Sequence, residues 1–408
     1  MSPLNSARRS TVAPVSDPGE APSTLLLERL LGVVDEGRRT GTHKLLTLLA
    51  LLDATATSVG EDMHPANELS VRTVAEHVLA VAWPHVVPFA VERRAVHLRQ
   101  MNDQRRPNEL VEATASARRR ADAIGARTPR QLRQADTSAH EKAVDRIERQ
   151  LVRYPLALLQ RTDADAPDFL YRSWPPERTP TAIARSQGRD EPSIVWLPGV
   201  PGALLRFSAL LRPLIELAFV RDVARWNALD TAESRLHAHL FGAEREAWPV
   251  GLQEELLAVQ DRRCFYDPEG RRLRPEELQV DHFLPWARFH ADGVANLVLA
   301  RASHNASKSD LFAATRHVQA WRESLGDRIA VARRLGLDHE TSRTRALARA
   351  GYGHLPDESP LWLRRLAGGP GREVERLTPD RRAEIAELLG GASDLELAAD
   401  DRGPWSAG

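Results

Sequence analysis

The chain has 408 residues, 56 basic and 56 acidic side chains, and one cysteine. That length allows two or three domains with cores of their own, and the balanced charge excludes a global field that would by itself demand a nucleic-acid partner. One cysteine excludes an internal disulfide and suits a reducing compartment.

Arg8 and Arg9 have no apolar stretch behind them, so the start does not read as a secretory signal. Residues 1–22, rich in Ser, Pro, Ala and Gly, are expected to be disordered. From Ser23 the pattern turns helical: Leu26, Leu27, Leu30, Leu31 and Val34 share a face, Ser23 can cap it and Gly37 ends it. Thr42–Ala54 is apolar nearly all round and reads as a central helix. Its Leu45–Leu52 run is far too short to span a bilayer, so a cytoplasmic protein with no membrane partner is expected. Ser70 to about Trp83 is a further helix stopped by Pro84. Arg93–Arg133 holds eleven arginines against Asp103, Glu109, Glu112 and Asp122. Two readings stand side by side there, a phosphate-contacting surface and a solvated face in a chain that uses arginine everywhere. Thr137–Val152 reads as a charged, exposed helix.

Between Tyr154 and Pro201, Phe169–Tyr171 and Ile194–Trp196 read as short strands bounded by breakers. Pro201 opens a long apolar helix with a kink or break expected at Pro213. His237 and His239 read as ordinary surface or packing residues. Gly251 to about Val259 is a helix, Ser309–Ser324 another, and residues 326–390 carry two or three more. The tail from Asp394 is acidic and loose. The expected class is mainly α: a helical N-terminal domain (23–245), a small ββα module (246–325) and a short helical C-terminal region (326–393).

The chemistry gathers between Cys264 and Asp310. Asp281-His282 is followed by thirteen residues and Asn296, then eight and Asn305, then two and Lys308. Lys308 is one of only three lysines, with Lys44 and Lys142, so background usage does not explain it. Leu278–Val280 predicts a strand, Pro285 ends it, Asp292-Gly293 turns the chain and Asn296–Leu299 returns as a second strand. Ser303 can cap a helix from His304, on which Asn305 and Lys308 share a face. Strand, loop, strand and helix bring Asp281, His282, Asn305 and Lys308 together.

At that spacing the stretch resembles an HNH nuclease, the ββα-metal finger. Its Asn-ending form is similar to the HNH module of the RNA-guided CRISPR nuclease. The resemblance implies His282 as general base, a side chain type whose ordinary pKa lies near neutrality. It implies Asp281 and Asn305 as ligands of one Mg²⁺ or Mn²⁺, and Asn296 as a loop bridge that orients His282. Lys308 or Arg301 would contact the scissile phosphate.

Many HNH fingers hold a structural zinc with two Cys-x-x-Cys pairs, and here the corresponding places are Cys264, Asp267, Arg301 and His304. Arginine cannot ligate zinc, so no structural zinc is expected, His304 reads as structural, and Phe265, Phe283, Trp286, Leu297 and Leu299 are expected to pack the finger. DNA is the default substrate implied, with RNA open. A restriction or antiphage role with a protein partner would suit such a chain. The alternative is a nucleic-acid-binding or interaction protein with a silent finger.

Overall fold

The computed structural model describes residues 20–35, 39–91, 94–101, 103, 108–161, 167–229, 233–242, 248–366, 369 and 371–390. The protein is mainly α, and its described strands form only two-stranded antiparallel sheets. The first helix, Glu20–Val34, starts three residues before Ser23 and takes in the end of the stretch expected to be disordered. Residues 1–19, Gly37 and the acidic tail from Asp394 lie outside the described residues. Helix His43–Thr57 is buried from Leu45 to Thr57, as its all-round apolar pattern requires. The Ser70 hydroxyl accepts from the Thr73 N–H at 3.0 Å and caps Val71–Ala82.

Three expectations for the N-terminal half need correction. Thr137–Arg153 is a helix, but Val144, Ile147, Leu151 and their neighbours bury one face of it; apolar positions at helical spacing outweigh the charges between them. Phe169–Tyr171 is not a strand: Tyr171 makes one isolated bridge to Trp196, and Ser193–Val195 pairs instead with Glu68–Ser70. Helix Val200–Trp226 carries Pro201 in its first turn and continues through Pro213, so of the kink or break expected there the break does not occur. In the arginine-rich stretch, Arg118 pairs with Asp122 (2.9 Å), Arg120 with Asp136 (2.6 Å) and Arg130 with Asp338 (3.3 Å). Local ion pairs therefore absorb part of that charge; Arg93, Arg105 and Arg106 lie outside the described residues.

Apolar side chains fall into two cores. One joins Leu26 to Phe241, and the second draws chiefly on residues from Leu252 onward, with Ala56, Val59 and Leu205 reaching across. Inside the second, strand Leu278–His282 pairs antiparallel with Leu297–Arg301, Leu278 opposite Arg301 and His282 opposite Leu297. Helix Ala302–Lys308 follows.

Here too the structure departs from expectation. Asn296 sits in a short 3-10 turn (Val294–Asn296) ahead of the second strand, and the helix starts at Ala302 with no side-chain cap, so Ser303 lies inside it. Residues 309–314 are not helical. Ser309 takes a φ of 52°, which stops the finger helix. Beyond it, the Trp362 N–H donates to the Phe312 carbonyl (2.7 Å) and the Ala314 N–H to the Trp362 carbonyl (2.8 Å). The next helix is Thr315–Glu323. The partner strand belongs to an unexpected hairpin, Pro360–Arg365 with Arg372–Arg376, set between helices Leu325–Leu335, Thr341–His354 and Pro379–Gly390.

A buried polar seam joins the two cores. Arg212 on the long helix pairs with Asp53 and lies 3.6 Å from Glu216. Glu216 also meets His237 at 3.0 Å and His290 of the finger loop at 3.8 Å. His237, read as ordinary, is thus tied to a buried carboxylate, and that hydrogen bond raises its pKa.

Candidate active site

The first finger strand, Leu278–His282, ends on Asp281 and His282, and the pleat sends their side chains to opposite faces. Asp281 turns inward and is 7% exposed. Its Oδ2 accepts from the Tyr266 hydroxyl at 2.8 Å and lies 3.2 Å from the Lys308 ammonium. Its Oδ1 makes no hydrogen bond among the described residues.

Lys308 is buried at 1% exposure and donates to the His282 carbonyl at 2.9 Å. The expectation that Lys308 reaches out to a phosphate therefore needs correction. Its face of the helix points at Asp281 and Tyr266, and a buried carboxylate draws the nearest cation. Arg301, the other named phosphate contact, lies 3.9 Å from Asp267.

His282 turns the other way, and its Nε2 meets Asp292 Oδ1 at 2.8 Å. An ionised carboxylate only accepts, so this bond places the imidazole proton on Nε2 and leaves the lone pair on Nδ1. Trp286 and Trp248 lie beside the ring, with centroids 5.0 and 5.7 Å away, and confine its rotation. Trp286 also stacks on His290 at 4.5 Å, so it lies between two histidine rings instead of packing the finger core. Phe265, Phe283, Leu297 and Leu299 are buried as expected, with Phe283 stacked on Trp321 at 5.0 Å.

Asn296 is fully buried. Its Oδ1 accepts from the Leu284 N–H (2.8 Å), its amide donates to the Ala291 carbonyl (3.0 Å), and its own carbonyl accepts from the Phe283 N–H (2.7 Å). The side chain closes the loop that runs from His282 to Asp292. Asn305 lies half-buried on the helix, and its side chain makes no hydrogen bond among the described residues.

Sequence reasoning missed Asp292, Tyr266 and Trp248. Asp292-Gly293 carried only a turn signal, and nothing local marks the two aromatic residues.

The four places compared with a zinc site do meet in space. The Cys264 sulfur and His304 Nδ1 are 3.3 Å apart, the Arg301 N–H donates to the same sulfur, and Arg301 faces Asp267. Burial pushes the Cys264 thiol pKa up and the His304 imidazole down. Both shifts favour the neutral groups, and thiol and ring share one hydrogen bond. Among the described residues, no three His, Cys, Asp or Glu side chains gather as a metal cage.

Two antiparallel strands and a short helix that carry Asp-His, a buried Asn and a terminal Asn define a finger of the ββα class. Residues 269–314 match the HNH endonuclease family. Comparison with curated proteins and with solved structures found no match. Among the described residues no helix is long and apolar enough to cross a membrane.

Proposed function

We propose that this protein is a metal-dependent endonuclease that hydrolyses phosphodiester bonds, with DNA as the preferred substrate class. The observation that carries the reading is the His282–Asp292 hydrogen bond within a segment that matches a nuclease family. In a decayed finger nothing would be needed to orient that imidazole.

The residues fit a divalent cation. Asp281 Oδ1 and the Asn305 amide oxygen are hard donors of the kind Mg²⁺ or Mn²⁺ accepts beside water and substrate phosphate. Lys308 already neutralises part of the Asp281 charge, so the pair alone is a weak site that substrate phosphate would complete. When bound, the cation supplies charge stabilisation at the phosphoryl and leaving oxygens. His282 takes a proton at Nδ1 from water as that water attacks phosphorus and the phosphorus–leaving oxygen bond breaks. Asp292 holds the imidazole in the tautomer and orientation this requires, and Asn296 holds the loop that positions both.

Cleavage of plasmid DNA in Mg²⁺ or Mn²⁺, with and without chelator, tests the metal. Chelator is expected to stop cutting and leave the melting temperature unchanged. Cutting that persists in chelator would contradict the reading. A large fall in melting temperature would instead point to a structural metal at Cys264 and His304.

A further inference from the structure

The hairpin Pro360–Arg365/Arg372–Arg376 lies against the finger helix. Trp362 donates from its indole to the Ser307 hydroxyl at 3.1 Å, and its ring lies 6.0 Å from that of His304. Trp362 is paired with Val374 and Arg365 with Arg372. Directly opposed residues share a face, and Arg372 and Val374 are two apart on one strand. Arg365 and Arg372 therefore extend the Trp362 face beyond the point where it meets the helix.

Arg372 confirms the direction by donating to the Ser307 carbonyl at 3.2 Å. His304 and Ser307 bracket Asn305 in the helix.

Two guanidinium groups directly opposite each other in a hairpin are destabilising unless something lies between them. Across the other face, Arg364 meets Glu373 at 2.5 Å. Arg365 and Arg372 have no carboxylate partner among the described residues. Both are at least partly exposed.

We infer that Arg365 and Arg372 form a phosphate grip, a site that holds a backbone phosphate of the nucleic-acid strand beside the finger helix. A planar guanidinium suits that anion, and two of them from one rigid hairpin fix its position. The inference deepens the nuclease reading and rests on it for the identity of the strand.

Binding of labelled duplex DNA, single-stranded DNA and RNA is measured in chelator between about 50 and 200 mM salt, alongside cleavage in Mg²⁺. For the Arg365→Gln/Arg372→Gln protein, the slope of log affinity against log salt is expected to fall by about one to two. KM should rise several-fold while kcat at saturation holds. Arg364→Gln, on the opposite face, should keep the parental slope. Arg365→Gln alone should melt no lower than the parent, because it removes a like-charge opposition.

A double variant with parental slope and KM would overturn the grip and leave the nuclease reading standing. A parent that binds none of the three polymers would overturn it too. Binding that depends on the pair, with no cleavage of any polymer, would uphold the grip and sink the nuclease reading.

Discussion

His282 meets Asp292 at 2.8 Å on the open side of the finger, while Lys308 meets Asp281 inside it, and substitutions at the two pairs should separate chemistry from folding. Asp292→Asn offers an amide that can donate as well as accept, so the imidazole loses its fixed tautomer. We expect kcat to fall about 10- to 100-fold with little change in melting, checked by plasmid cleavage and thermal denaturation. Lys308→Met should act the other way. It leaves a buried carboxylate without its cation, which costs about 3–5 kcal/mol, readable in urea unfolding; an unchanged midpoint would return Lys308 to a surface role. The five motif residues were legible in the sequence because they sit within one local unit. The direction Lys308 faces was not. Tyr266, which completes its pocket with Asp281, lies outside the motif and has no spacing rule.

One amide closes the loop between the finger's two strands. Asn296→Ala would leave the buried Leu284 N–H and Ala291 carbonyl without partners, at about 1–3 kcal/mol per orphaned group. Lost stability should come with lost cleavage, since the same loop carries Asp292. Equal unfolding midpoints for variant and parent would contradict this role. At this scale the strands of the finger were readable from alternation and breakers, but the following segment was not. Nothing in the sequence of residues 309–314 opposes a helix. Residues 309–311 turn and 312–314 run beside Trp362 because Phe312 and Ala314 bond it, fifty and forty-eight residues further on, and such a tertiary partner overrides local propensity. The hairpin itself was hidden because Arg-Glu-Val-Glu-Arg at 372–376 carries one apolar residue in five. Its cross-strand ion pair and the burial of Trp362 appear only once it is folded.

Across the whole molecule, buried histidines set the response to acid. Burial lowers His140 and His317 to about 4 and His85 to about 3, and it holds His77 and His290 well below the ordinary range. These groups stay neutral in the folded chain while the unfolded chain protonates them below about pH 6.5. Their contribution to stability is therefore complete above pH 6.5 and declines as pH falls toward 4. Burial raises Glu76 to about 7, which works oppositely: its protonated form favours the folded state as pH falls from 7 toward 4.5. His237, raised by Glu216, works in the same direction as Glu76; the lowered histidines outnumber the two, so the melting temperature should drop between pH 7 and 5. Replacing His317, which bonds the Leu363 carbonyl at 2.8 Å, by Gln should flatten that drop; a variant as acid-sensitive as the parent would contradict it. The mainly helical class was legible from periodicity. The seam of Asp53, Arg212, Glu216 and His290 between the cores was not, since its members are spread over the whole chain.

The most direct measurement is cleavage of plasmid DNA in Mg²⁺ by the parent and by His282→Ala at matched melting temperature. The parent is expected to cut and the variant to be slower by about 10²–10⁴-fold. Equal cutting by the two, or a parent that leaves DNA and RNA intact in both Mg²⁺ and Mn²⁺, would contradict the assignment of His282 as the base of a working nuclease.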